Sequence, residues 1–219
     1  MRRDYPVFVT GGTGYLGSPL IAALLQKGFQ VHALARQESL HKLPSGAIPV
    51  VGNALDDATF AAAVPRDSTF VHLIGTPHPN PSKAAEFRRV DLASIQAAVR
   101  AARRAAAQQF VYVSVAHPAP VMRAYIAVRE EGEALVRASG IPATILRPWY
   151  VLGPGHWWPG VLLPVYAILR VVPATRAGAE RLGLVTRASM IAALVRAIES
   201  PPAGTVRIVE VPEIRQSAR

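Results

Sequence analysis

The chain contains no cysteine. Disulfide scaffolds, zinc–cysteine sites, iron–sulfur clusters and thiol nucleophiles are therefore excluded. Lysine is scarce: among 24 Lys and Arg residues, only Lys27, Lys42 and Lys83 are lysines. Acidic residues number 14, which leaves a formal charge of +10. The cations are scattered, with no basic run interleaved with aromatics, so no nucleic-acid partner is expected. The surplus reads most simply as an arginine-rich composition, and otherwise as attraction to an anionic ligand or membrane surface. Long hydrophobic runs are missing too. Arg2 and Arg3 precede only Val7-Phe8-Val9 before the glycines begin, which is too short for a signal-peptide core. The longest apolar stretch, near Trp157 to Pro173, is interrupted by Pro159, Gly160, Pro164 and Arg170. It falls short of the roughly 20 residues a spanning helix needs. These absences lead to the expectation of a soluble, cytoplasmic protein without a transmembrane segment. The six histidines show no metal-ligand spacing with carboxylates, so no metal is expected. What is present is apolar: 51% hydrophobic and 17% charged residues over 219 positions suit a packed core rather than disorder.

Short apolar runs alternate with helical patterns. Strands are expected at Tyr5 to Thr10, Phe29 to Ala35, Ile48 to Val51, Thr69 to Ile74, Phe110 to Val115 and Ala143 to Leu146. Helices are expected at Leu16 to Lys27, stopped by Gly28, at Asp56 to Val64 with Asp56 as cap, at Ser82 to Ala107, and at Pro120 to Ser139, ended by Gly140. This alternation implies a doubly wound parallel sheet of the Rossmann type, α/β in class. The strands are near-continuous apolar runs, as strands covered on both faces are. After Pro148 the pattern changes: an apolar helix is expected, then a helix at Ser189 to Ile198 and a strand at Thr205 to Val211. The whole chain, 1–219, reads as one domain in which 149–219 form a small substrate-side cap.

The run Thr10-Gly11-Gly12-Thr13-Gly14-Tyr15-Leu16-Gly17 closes the first strand and opens the first helix. Gly11, Gly14 and Gly17 give the tight turn, the close backbone approach and the close helix packing that a dinucleotide pyrophosphate requires. The helix N-terminus adds N–H groups and a partial positive charge. An acidic residue at the end of the second strand would favour NAD; Arg36 stands there, with Ser39, His41 and Lys42 nearby. A guanidinium suits a 2′-phosphate, so the expected cofactor is NADP, with NAD the alternative.

These motifs resemble those of an atypical short-chain dehydrogenase/reductase of the NAD(P)H-binding, epimerase-like kind. The chain is similar to the NmrA-like group and to the group that resembles a complex I accessory subunit. VTGGTGYLG is similar to the family's fingerprint and VHALAR to its second strand. Gly52-Asn53 stands where the family usually has Gly-Asp. The resemblance implies that Gly11, Thr13, Gly14, Tyr15 and Leu16 hold the phosphates, that Arg36, Asn53 and Ala54 lie near the adenosine, and that Ile74, Gly75 and Thr76 border the adenine. It places Pro148 beside the nicotinamide.

The family's Tyr-x-x-x-Lys proton-transfer pair has its counterpart in Tyr125-Ile-Ala-Val-Arg129, one helical turn apart. Arg in place of Lys keeps a cation but changes its shape. Tyr125 is thereby assigned as acid/base, Ser114 as orienting donor, and Arg129 as ribose holder and electrostatic aid, with Glu133 placed to pair with Arg129. His72, within a strand, reads as structural; His78 and His117, in loops beyond strands, are candidates to touch substrate. Trp149, Tyr150, His156, Trp157 and Trp158 form either cap packing, an apolar substrate mouth, or a surface for a lipid or protein partner. Two functions remain open: hydride transfer to or from a small, fairly apolar carbonyl, alcohol or quinone, and a non-catalytic NAD(P)-binding sensor or assembly factor, which the Arg129 departure favours. A sugar-nucleotide epimerase would need a larger substrate domain. The Ser82 to Ala107 helix is a candidate surface for a homodimer.

Overall fold

The computed structural model of the protein describes residues 5–155, 178 and 180–218. A seven-stranded sheet forms its centre, in the order β3-β2-β1-β4-β5-β6-β9, with every pairing parallel. The strands are β1 (Val7–Thr10), β2 (Val31–Ala35), β3 (Ile48–Val51), β4 (Thr69–His72), β5 (Gln109–Val113), β6 (Ala143–Arg147) and β9 (Val206–Glu210). Helices α1 (Gly17–Gln26), α3 (Ala93–Arg104), α4 (Arg123–Ala138) and α5 (Arg187–Glu199) flank it, with short helices α2 (Ala84–Glu86) and α6 (Val211–Gln216). This is the doubly wound Rossmann architecture that the strand–helix alternation implies.

Side-chain alternation splits the core into two layers. Phe8, Phe70, Phe110 and Tyr112 point to the α3–α4 face, and Val7, Val9, Val71 and Val111 to the α1–α5 face. Both faces are covered, which is why the strands carry no polar alternation.

The structure departs from the sequence expectations in four places. The Asp56 to Val64 helix is two 3₁₀ turns, Asp57–Thr59 and Ala61–Ala63, separated at Phe60, although Asp56 does cap the first by accepting from Ala58 N. The long Ser82 to Ala107 helix is interrupted by a π-helical segment at Phe87–Leu92, between α2 and α3. Helix α4 starts at Arg123 rather than Pro120, because Met122 adopts a left-handed conformation (φ 61°) that turns the chain into the helix. Finally, the region from 149 onward does more than cap. Its strand β9 pairs with β6, and its helix α5 packs on the α1 face, where Gln109 donates to the Ala197 carbonyl at 2.6 Å. Without β9 the β6 edge would be unpaired beside buried Ile145 and Leu146. The region also holds a two-stranded parallel sheet, β7 (Tyr150–Leu152) with β8 (Leu184–Thr186). The apolar helix expected after Gly160, together with His156, Trp157 and Trp158, lies outside the described residues.

Candidate functional site

The turn from β1 into α1 requires glycine. Gly11 has φ 78°, and a Cβ there would meet the Leu73 and Ile74 backbone at 3.1–3.3 Å. A Cβ at Gly17 would overlap the Gly11 carbonyl. Helix α1 then opens with no side-chain cap and no acidic residue in its first turn. A pyrophosphate fits such a helix terminus, because it meets donors and a partial positive charge with no competing carboxylate.

A cavity of about 950 Å³ runs from this turn along the carboxyl ends of β1, β4, β5 and β6. It brings together most of the residues singled out in the sequence: Gly11, Gly14, Tyr15, Leu16, Ile74, Gly75, Thr76, Ser114, Tyr125, Arg129 and Pro148. His78, Met122, Trp149 and Tyr150 line its other parts. Thr13, Arg36, Asn53 and Ala54 are not among its lining residues. Arg36 lies at the exposed end of β2 and pairs with Glu38 at 3.2 Å. The Asn53 amide oxygen accepts from Leu55 N at 3.1 Å in a local turn.

Tyr125 and Arg129 share a face of α4. The Tyr125 ring lies 5.0 Å from that of Phe87, and the Arg129 guanidinium stacks 5.1 Å from the Tyr125 centroid. Arg129 is only 4% exposed, and its donors point inward. Nη2 donates to Asp91 Oδ1 at 2.6 Å, while Nη1 donates to the Val113 carbonyl at 3.0 Å and the Ile74 carbonyl at 3.4 Å. Burial alone would loosen its proton, but Tyr125, Tyr112 and Asp91 hold the guanidinium firmly charged. Asp91 in turn accepts from Thr76 N at 3.1 Å and Thr76 Oγ1 at 2.5 Å. The sequence reasoning missed Asp91. The signal was there: Asp91 continues the buried stripe of Phe87, Ile95, Ala98 and Ala102 as an acid on an apolar helix face.

Glu133 does not pair with Arg129. Its buried carboxylate takes Arg147 from β6 at 2.5 Å, Arg137 from the next turn of α4 at 2.9 Å and His117 from the loop after β5 at 3.4 Å, while Arg129 turns to Asp91 instead. His117 thereby serves this cluster, with Glu130 at 3.1 Å on its other nitrogen, and is not a lining residue of the cavity. Ser114 is buried beside Glu133; its hydroxyl helps to lower the carboxylate's pKa yet makes no hydrogen bond of regular geometry. Burial pushes Glu133 up, but the bonds from Arg147 and Arg137, with the nearby Ser114 hydroxyl, outweigh it and hold the pKa down to about 2. Stability from this group is thus fully present above its ordinary pKa of 4.5 and is lost as pH falls toward about 2. Glu133→Gln is expected to be less stable at neutral pH and to lose less stability than the native chain across that acid window. Melting temperatures measured against pH check this, and parallel acid slopes would contradict it.

His72 is fully buried between Thr10 Oγ1 at 2.9 Å and Ser94 Oγ at 3.4 Å. Burial first, and the Arg129 charge second, push its pKa down to about 3, so it stays neutral and structural.

Two absences concern the described residues alone. Among them no helix is long and apolar enough to cross a membrane, and no group of three His, Asp or Glu residues is placed to hold a metal.

Comparison with known proteins decides the family. The model of the NAD(P)H-binding family matches residues 11–154, which run from the glycine turn past β7. The chain belongs to that family. This NAD(P)H-binding protein has curated reductase relatives. It is 30% identical over 213 residues to ceramide reductase of Caulobacter vibrioides, covering 94% of this chain and 64% of the relative. It is 29% identical over 168 residues to the 4-hydroxy-2-methyl-3-oxo-4-farnesyl-3,4-dihydroquinoline-1-oxide ketoreductase of Stigmatella aurantiaca, covering 67% of this chain and 50% of that protein. The chain thus spans between half and two thirds of the length of these relatives. Among solved structures, the Bacillus cereus UDP-glucuronic acid 4-epimerase in complex with NAD matches with a TM-score of 0.68 at 19% identity, over 94% of this chain and 77% of that one. The Bordetella bronchiseptica enzyme WbmH in complex with NAD+ matches at 0.69 and 19%, over 94% and 75%. Those likenesses show the fold.

Proposed function

We propose that the protein reduces a carbonyl group on an apolar substrate at the expense of NADPH. The carrying observation is the single cavity that joins the glycine turn to Tyr125 beneath Trp149, Tyr150 and Met122. The residues at its two ends suit a dinucleotide on one side and an apolar molecule with one polar reacting group on the other. Gly11, Gly14 and the α1 N-terminus hold the pyrophosphate, and Arg36 reaches the 2′-phosphate from the end of β2. The bound nicotinamide supplies the hydride. Tyr125 donates its hydroxyl proton to the carbonyl oxygen as that oxygen gains charge, and the tyrosinate regains a proton from solvent. Arg129, stacked on the ring, stabilises the tyrosinate. Ser114, on the cavity wall, is the second donor toward the substrate oxygen. The names of two relatives support the apolar substrate: one acts on ceramide, the other on a farnesyl-bearing dihydroquinoline.

One observation favours a second reading. The two Arg129 Nη groups are taken up by Asp91, Val113 and Ile74 rather than offered to a ribose, and Nε, the donor left without a partner, is buried, which suits a protein that binds NAD(P) as a sensor without turnover. An assay with NADPH and a panel of ketones of graded alkyl length separates the two. The reductase reading expects NADPH consumption that rises with chain length. Saturable NADPH binding with no consumption across the panel would leave the sensor.

A further inference from the structure

A second hollow adjoins the cofactor cavity. It is a groove of about 700 Å³ between α1 and α5, floored by Pro19, Ala23, Leu152, Ile191 and Val195. Early residues of the two helices, Pro19 and Arg187, stand at one end with Pro154. Late residues, Lys27 and Glu199, stand at the other and form a salt bridge of 3.1 Å. From Pro19 to Lys27 the groove follows α1 for about 12 Å, at the helical rise per residue. Three observations tie it to the cavity. Pro154 lines both hollows. Tyr15, of the glycine turn, lines the cavity, and the guanidinium of Arg187, on the groove side, sits 5.2 Å from its ring. Gly153 permits that junction, because a Cβ there would run into the Tyr15 hydroxyl and the Arg187 side chain. The apolar lining is also continuous: Trp149 and Val151 of the cavity and Ile191 of the groove pack on one core layer, that of Val185, Met190 and Leu194.

Size gives the cavity a reason to have such an outlet. Its volume of about 950 Å³ lies at the top of the roughly 300–1,000 Å³ that encloses one drug-sized ligand. The pyrophosphate, ribose and nicotinamide of a bound cofactor take up much of that space. An apolar substrate longer than a few carbons must therefore extend beyond the cavity. Resting on the reductase reading for its reacting group, we infer that the groove between α1 and α5 holds the hydrocarbon tail of the substrate: the carbonyl stays at Tyr125, the chain crosses Pro154, and the tail lies on Leu152, Ile191 and Val195. The substrate class is then a ketone on one extended hydrocarbon chain rather than a compact ring system. The helix faces bury one side of such a chain, and the stems of Lys27 and Arg196 lie along it while their charges stay in water. The Lys27–Glu199 bridge closes the far end, so carbons added beyond it gain nothing.

Because the chain has no cysteine of its own, Ala192→Cys places a single thiol in the groove. Its rate of reaction with Ellman's reagent is measured on the full chain with NADP+, alone and with butanone, methyl octyl ketone or methyl dodecyl ketone. The long ketones are expected to slow the reaction by about fivefold and butanone to leave it unchanged. Arg103→Cys, on α3, is the control and should react at one rate throughout. With NADPH, KM is expected to fall about twofold per added methylene, the value for half burial, and to level off once the tail reaches the Lys27–Glu199 bridge. Ala192→Trp, which fills the groove, should flatten that slope through KM more than through kcat. Turnover that favours long ketones with an unprotected thiol overturns the inference and keeps the reductase reading. A protected thiol without turnover of any ketone keeps the groove as a chain site and removes the reductase reading. Neither protection nor turnover removes both. A thiol that reacts slowly without ketone and speeds up on dilution also overturns the inference, because a second copy of the chain then covers the groove.

Discussion

Arg129→Ala is expected to destabilise the fold by about 3–5 kcal/mol, because it leaves Asp91 as an uncompensated charge in a dry interior. Several features make this position unusually costly. The guanidinium and carboxylate are both almost fully buried and lie 2.6 Å apart. The same side chain closes the carbonyls at the ends of β4 and β5, through Ile74 and Val113, which would lose their donor. For a chain of this size, such a loss lowers the melting temperature by roughly 10 °C or more. Asp91→Ala is also destabilising, but the double variant is expected to lose much less than the two single losses added, since the partner charge is gone as well. Thermal melts of the four proteins form the cycle. Additive losses would mean that the ion pair carries no coupling, and the account of Arg129 as a buried anchor would fail. Arg129→Lys should behave as a partial loss and not as a gain of activity, because a lysine cannot reach Asp91, Val113 and Ile74 together.

Tyr125→Phe is expected to cut kcat by about 10²–10⁴-fold while NADPH affinity stays within a few-fold of the native value. Phenylalanine keeps the ring contact with Phe87 and a face for Arg129, so the fold and the cavity wall survive. Only the hydroxyl proton is lost. Because that proton moves only as the carbonyl is reduced, kcat and kcat/KM should fall together. A Tyr125→Phe protein with native kcat would remove Tyr125 as the acid.

The fold was legible in the sequence because it is written in local signals. The strand Ile48–Val51 is found with the expected ends, and Gly28 and Gly140, both at positive φ, end α1 and α4 as glycine stops do. The phosphate turn was legible because three glycines at fixed spacing have a steric reason that needs no tertiary context. The partners of Arg129 and Glu133 were not. Helical spacing made Glu133 the natural partner of Arg129, but the sheet carries Arg147 to Glu133 and the π segment carries Asp91 to Arg129. Such pairings depend on which strand ends beside which helix, and one-dimensional spacing does not contain that. The π segment was hidden for a related reason: its residues are ordinary helix formers, and the wide turn coincides with inward contacts of Phe87 and Asp91 that only the folded core provides. The seventh strand was legible as a strand, but its place beside β6 was not.

The most direct test of the central claim, that the glycine turn and its cavity hold NADPH, is a calorimetric titration of the purified chain with NADPH and NADH. Saturable one-to-one binding, tighter for NADPH and weakened toward the NADH value by Arg36→Ala, is the expected result. No heat of binding with either dinucleotide would contradict the account at its base, since the proton donor and the apolar mouth have no reaction to serve without a cofactor seated on that turn.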